Sequence, residues 1–285
     1  MRKIHFFKYH GLGNDFIIID LIITGPRRMD FGRLAQEICH RHTGVGADGL
    51  LVLMKSTVGD CRIDLYNSDG SWAEKSGNGL RCAAAYFHNH HCRRRKSIFE
   101  SGCDVAEARI IRKAGDACYI RVSIGKPTFR TAHIPMRSGN EFHVNMPIRI
   151  GTTSVTLTAL SVGNPHAVIF VKHFNFDWQA LGKVVERCRY FPRRTNVEFV
   201  KIVNRNKIIL NDWERGAGAT GSSGTGASAA AAAGVINGFL DRQVEVVFPT
   251  GSLFIDWSDA DDSIYLTGPA EFVCSGDYTP RRIKP

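Results

Sequence analysis

The chain has 285 residues, 44% of them hydrophobic, a formal net charge of +10 and eight cysteines. That length suggests about two domains, each able to bury a core of its own. No pair of cysteines forms C-x-x-C, so neither a zinc ribbon nor a disulfide framework is expected. Nor does any apolar run reach transmembrane length, and the start Met1-Arg2-Lys3-Ile4-His5 lacks a signal core; a reducing, cytoplasmic setting is expected. The basic excess gathers in Arg93-Arg94-Arg95-Lys96 and in the pairs Arg27-Arg28, Arg193-Arg194 and Arg281-Arg282. With no interleaved aromatics or nucleic-acid motif, the run reads as a solvated helix end, and no nucleic-acid or membrane partner is expected.

In chain order, residues 2–8 and 16–23 read as strands around the turn Gly11-Leu12-Gly13-Asn14-Asp15. A helix follows from Phe31 to His40, capped by Asp30. Strands are expected at 50–54 and 61–66, and after one long helix again at 97–102, 105–112 and 117–123. Gly125-Lys126-Pro127 is the candidate domain crossing. Beyond it lie strands at 142–146, 153–161 and 167–171, a helix from Trp178 to Cys188, and strands opening at Asn196 and Lys207. A second long helix and strands near 243–248, 252–257 and 263–267 close the chain.

Both long helices start alike. Ser76-Gly77-Asn78-Gly79 runs into Leu80-Arg81-Cys82-Ala83-Ala84-Ala85, and Ser223-Gly224-Thr225-Gly226 runs into Ala227-Ser228-Ala229-Ala230-Ala231. A helix start leaves its first N–H groups without intrahelical partners at the positive end of the dipole, which suits an anion. Two matching starts suggest a duplicated half-site. The expected fold class is α+β, with two similar domains whose strands wrap a central alanine-rich helix. If both helix starts met one carboxylate, the opening residues would flank the carbon beside it. Proton removal from one face and return to the other would follow, with His166 and Glu214 as tuning partners.

The motifs His10-Gly11-Leu12-Gly13-Asn14-Asp15-Phe16, Gly44-Val45-Gly46-Ala47-Asp48, Asn67 through Ser71, Gly77-Asn78-Gly79 and Gly163-Asn164-Pro165-His166 stand in order. Asn196, Trp213-Glu214-Arg215-Gly216-Ala217-Gly218, Gly224-Thr225-Gly226 and Leu266-Thr267-Gly268-Pro269 complete the set. On these motifs the sequence resembles diaminopimelate epimerase over nearly its whole length. The resemblance implies a cofactor-independent, metal-free amino-acid epimerase and a homodimer. It also implies domains of residues 1–126 with 274–285, and 127–273, with the substrate cleft between them. Asn14, Asn67, Asn164, Asn196 and Arg215 would read the distal end of the amino acid. Gly77, Asn78, Gly224 and Thr225 would supply donors to the reacting carboxylate, and His166 and Glu214 would pair with the two catalytic groups. The family has cysteine where this chain has Ser76 and Ser223, an acidic residue where it has Trp72 and Ala219, and a polar side chain where it has Gly49. Serine needs strong activation to act as a base. A binding protein without chemistry and a one-base isomerase or lyase on the same scaffold therefore stand beside the epimerase reading. His88, His90, His91 and Cys92 have no second ligand cluster, so no metal site is expected there. Cys82 is expected to be a packed core thiol.

Overall fold

A computed structural model describes residues 3–25, 29–73, 76–102, 104–115 and 117–280. Met1, Arg2, Arg27, Arg28, Cys103, Arg281 and Arg282 lie outside the described residues. The chain folds as two compact units: residues up to Val122 with those from Gly268 onward, and Ser123–Thr267.

The first unit begins with β1 (Ile4–Gly11), β2 (Asn14–Asp20), the single turn α1 (Leu21–Thr24), α2 (Phe31–Ile38) and β3 (Gly49–Met54). It continues with β4 (Cys61–Asn67), β5 (Trp72–Ala73), α3 (Gly77–His90), β6 (Lys96–Ser101), β7 (Asp104–Ala114) and the start of β8 (Ala117–Gly125). The second unit holds β9 (Met146–Ile150), β10 (Thr153–Ser161), β11 (Pro165–Phe170), α4 (Trp178–Glu186), β12 (Asn196–Asn204) and β13 (Lys207–Glu214). After β14 (Gly218–Thr220), α5 (Gly224–Ile236), β15 (Gln243–Phe248) and β16 (Gly251–Trp257), β17 (Ile264–Tyr278) passes back into the first unit.

The pairing scheme occurs twice. β1 pairs antiparallel with β2, β2 runs parallel to β3, β3 pairs antiparallel with β4, and β4 flanks short β5 and runs parallel to β6. In the second unit β10, β11, β12, β13, β14 and β15 repeat each step. Parallel neighbours require a crossover, and α2 and α3 in one unit, α4 and α5 in the other, supply them. α3 packs on β1, β2, β3 and β7; α5 packs on β10 to β13, β15 and β16. Both helices are buried nearly all round: Gly77 to Phe87 in α3, and Ala227 to Gly234 in α5. Alanine permits this because it loses no rotamer entropy on burial and lets strands approach closely. Cys82 is fully buried in α3. The α+β architecture agrees with the sequence reading.

Three elements differ from expectation, one of them the closing strand read at 263–267, which runs as β17 to Tyr278 and pairs with β1. The strand read through residue 23 stops at Asp20, whose carboxylate accepts from the amides of Ile22 (2.8 Å) and Ile23 (3.1 Å) and turns the chain into α1. The strand read at 142–146 starts instead at Met146, because Asn145 is held at φ 49° with its amide on Thr158 Oγ1. Arg93 to Lys96 is exposed. No helix among the described residues is long and apolar enough to cross a membrane.

Candidate active site

Ser76 and Ser223 are the N-caps of α3 and α5. Both have extended backbones, and each Oγ accepts from the third helical amide, Gly79 N and Gly226 N, at 3.1 Å. The amides of Gly77 and Asn78, and of Gly224 and Thr225, belong to the first turns, whose N–H groups point outward along the helix axis. Each mouth therefore has the geometry for an anion.

Around α3, Asn78 Nδ2 donates to Asn14 Oδ1 (3.0 Å) and Asn14 Nδ2 to Asp48 Oδ2 (2.7 Å). Arg81 lies beneath them, fully buried, donating to Asn78 Oδ1 (2.8 Å), Pro269 O (3.2 Å) and Gly77 O (3.3 Å). No carboxylate accepts from it in these bonds, and burial pushes its guanidinium down to about 10. A buried cation thus sits one turn inside the mouth. Asn67 is apart from this chain of bonds; its Nδ2 donates to Ser71 Oγ (2.9 Å) in its own turn.

Around α5, His166 is fully buried with both ring nitrogens engaged: Nδ1 is 2.7 Å from Glu198 Oε1 and Nε2 is 2.8 Å from Asn164 Oδ1. Asn164 Nδ2 also reaches Thr225 Oγ1 (3.4 Å). Asn196 ties strands together, donating to Pro165 O (3.0 Å) and accepting from Arg215 N (2.9 Å). The Arg215 side chain is exposed and touches Arg193 O. Burial raises the Glu214 carboxyl, and hydrogen bonds from Thr220 and Ser223 pull it part of the way back. Burial likewise raises Glu198, which the His166 ring offsets only in part. Asp212 is driven well upward, by burial first and by Glu214 next.

The repeated registers align the two surroundings residue by residue. Phe16 faces Gly49 as His166 faces Asn196, so Leu51 corresponds to Glu198. Leu51 pairs with Leu65 and Glu198 with Asp212; Leu65 then pairs with Ala73 and Asp212 with Thr220. A Cβ on Gly79 would lie 3.4 Å from Leu51 Cδ2, and one on Gly226 would lie 3.2 Å from Glu198 Oε1. Ser76 therefore stands on an apolar floor, in a recess shared with Leu51, Ile63 and Leu65. Ser223 stands on an acidic one.

Sequence reasoning missed Glu198, Asp212, Thr220 and Arg81. An acid within an apolar strand reads as the solvent face, so only the alternation in Val197-Glu198-Phe199 and Leu210-Asn211-Asp212, set against burial on both faces, could have marked them. Arg81 precedes the apolar run Cys82-Ala83-Ala84-Ala85 with no sign of its depth. His91 lies 2.5 Å from Asp20 Oδ2, and no cluster fit for a metal occurs among the described residues.

The family model described as diaminopimelate epimerase matches residues 6–129 and 158–273. A diaminopimelate epimerase of Pelotomaculum thermopropionicum is 41% identical over 97% of this chain and 99% of its own length. One from Carboxydothermus hydrogenoformans is 41% identical over 96% of this chain and 98% of its own length. Among solved structures, a hydroxyproline epimerase from Agrobacterium vitis with bound trans-4-hydroxy-L-proline has a TM-score of 0.70 at 12% identity, covering 98% of this chain and 91% of that one. A PhzF-family phenazine biosynthesis protein of Bacillus anthracis has a TM-score of 0.68 at 14% identity, covering 98% of this chain and 100% of that one. These two likenesses bear on the fold.

Proposed function

This chain belongs to the diaminopimelate epimerase family, and on that premise we propose that it is a cofactor-independent amino-acid epimerase acting at the α-carbon of diaminopimelate or a close analogue. One observation supports the reading most: Ser223 caps α5 over the His166–Glu198 pair, and Glu214 is near enough for Ser223 to lower its pKa, so a proton acceptor stands beside the serine. As the Ser223 oxygen takes the α-proton, its own proton passes to Glu214. The serine stays neutral, Glu214 becomes a neutral acid, and the electron pair left on carbon is delocalised into the substrate carboxylate. The Gly224 and Thr225 amides, with those of Gly77 and Asn78, stabilise the charge that develops there. Ser76 returns a proton to the opposite face; water then reprotonates the Ser76 oxygen and Glu214 releases its proton to solvent, so both groups are reset. Asn14, Asn67, Asn164, Asn196 and Arg215 read the distal amino-acid end. A homodimer in the cytoplasm is part of the same proposal, and light scattering tests the dimer.

The apolar floor beneath Ser76 favours a second reading, in which exchange is confined to the Ser223 side. Incubation with L,L-diaminopimelate in deuterium oxide separates the two. Two-sided chemistry places deuterium first in the epimerised product. One-sided chemistry labels substrate whose configuration is retained. Calorimetric binding without exchange would leave only the binding protein.

A further inference from the structure

Asp212 lies outside the set of residues assigned above, yet its surroundings are built. It is 1% exposed, sits on β13 between Glu198 of β12 and Thr220 of β14, and pairs in register with both. Thr220 Oγ1 is 2.5 Å from Asp212 Oδ2 and 2.9 Å from Glu214 Oε1. A hydroxyl has one proton and can donate to only one of two carboxylates. The other contact is a hydrogen bond only if the second carboxyl carries a proton and donates it to the threonine oxygen.

We propose that Asp212 is a positioning residue for Glu214: it remains a neutral acid, donates its carboxyl proton to Thr220 Oγ1, and so directs the Thr220 hydroxyl at Glu214, keeping Glu214 the ionised acceptor for the Ser223 proton.

Three observations choose Asp212 over Glu214 as the proton holder. Asp212 Oδ1 has no hydrogen-bond partner among the described residues. An unpaired carbonyl of a neutral acid is far less costly to bury than an unpaired carboxylate oxygen. Second, Glu198 stands directly opposite Asp212, and like charges facing one another across strands repel; the one imidazole nearby, His166, is engaged by Glu198. Third, Glu214 has more surface open to solvent than Asp212, so water supports its charge where Asp212 has almost none. The charged and titratable groups acting on the Asp212–Glu214 pair are thus Glu198 and His166, and the upward shift of Asp212 agrees with a retained proton. No proton is lost from Asp212 in turnover: one proton moves from Ser223 Oγ to Glu214, which later releases it to solvent.

Only the role towards Ser223 rests on the epimerase reading; the state of Asp212 does not. The test is infrared spectroscopy of the full folded chain at neutral pH in deuterium oxide, wild type against Asp212→Asn and Asp212→Leu. Leucine fills the corresponding place in the first unit as Leu65, so this second variant guards against misfolding of the amide. The wild type should show the carbonyl band of a protonated carboxylic acid, lost in both variants; spectra that lose no acid band overturn the proposal. In deuterium exchange of the substrate, Asp212→Asn should stay within about threefold of wild type at neutral pH, because its amide can still donate to Thr220. Thr220→Val should lower kcat about 10–100-fold at nearly unchanged KM, the larger loss at lower pH, where Glu214 gains its proton first. An equal kcat and pH profile in Thr220→Val would also overturn it. Loss of the acid band without turnover in any form upholds the state of Asp212 and removes the epimerase reading alone.

Discussion

Converting both serines, as Ser76→Cys with Ser223→Cys, should raise α-hydrogen exchange in L,L-diaminopimelate by about 10²–10⁴-fold, the range associated with a matched general acid–base group. A thiol ionises near about 8.5, and lower at a helix N-terminus such as the two these residues cap. A serine hydroxyl is far weaker as an acid and acts only while a partner takes its proton. Because the two positions serve one reaction, the single variants should give gains that do not multiply to the double. The same exchange has a cost readable from the caps. Each Oγ now accepts an amide at 3.1 Å, and sulfur is a poor acceptor. Losing such a cap costs about 1 kcal/mol, or roughly 2–4 °C in Tm for a cooperative unit of about 150–250 residues. Deuterium incorporation by mass spectrometry and a thermal melt measure both effects. The reasoning is refuted by a double variant that folds, shows the Tm loss, binds diaminopimelate and yet exchanges no faster than wild type.

Glu214→Gln removes the acceptor for the Ser223 proton and should lower kcat by about 10²–10⁴-fold with KM little changed; steady-state kinetics with an unaltered kcat would remove Glu214 from the chemistry. Gly234→Ala places a Cβ in α5 that would lie 2.2 Å from Leu240 Cδ1 and 2.6 Å from its Cγ. Overpacking of about 1–3 kcal/mol against a helix-propensity gain of about 1 kcal/mol predicts a net loss of up to about 2 kcal/mol, read from the urea midpoint. A stabilised variant contradicts the packing. At Asp15 burial raises the carboxyl, but hydrogen bonds and charge from Arg41 and Lys8 outweigh it and hold the pKa low. A depressed folded pKa gives stability that is present above the ordinary value of about 3.9 and lost as pH falls through the folded one. Asp15→Asn should therefore be less stable than wild type at neutral pH, and the two stability curves should converge below about pH 3.9. A gap that is constant with pH would assign its cost to packing.

The parts legible in the sequence are those governed by local rules. Serine before glycine and alanine marks a capped helix, and both caps form as read. What was not legible depends on distant strands. Glu198 and Asp212 lie 14 residues apart in sequence but directly opposite on β12 and β13, and nothing local announces that a helix will cover both. Leu21 to Ile23 looks β-branched and apolar, yet one side chain, Asp20, turns it into a helix. The turn Gly163-Asn164-Pro165-His166 marks His166 in the sequence, but nothing near it marks its buried partner, Glu198.

The duplicated scaffold has a consequence for how the molecule yields. Under α3 the three floor positions are Phe16, Leu51 and Leu65, all buried, and they do not titrate. Under α5 the same three are His166, Glu198 and Asp212. Carboxyls whose folded pKa is raised cost nothing below the unfolded value, and stability then falls as pH rises towards the folded one. The raised shifts of Glu198 and Asp212 place that carboxyl loss under α5, where the matching positions under α3 hold no carboxyl. As pH rises above about 4, amide exchange should open first in β12, β13 and α5; the buried thiols of Cys61 in β4 and Cys82 in α3, pushed up to about 12, add their loss only above about 8.5. The half that carries these buried carboxyls is the half that first loses stability as their protons are withdrawn.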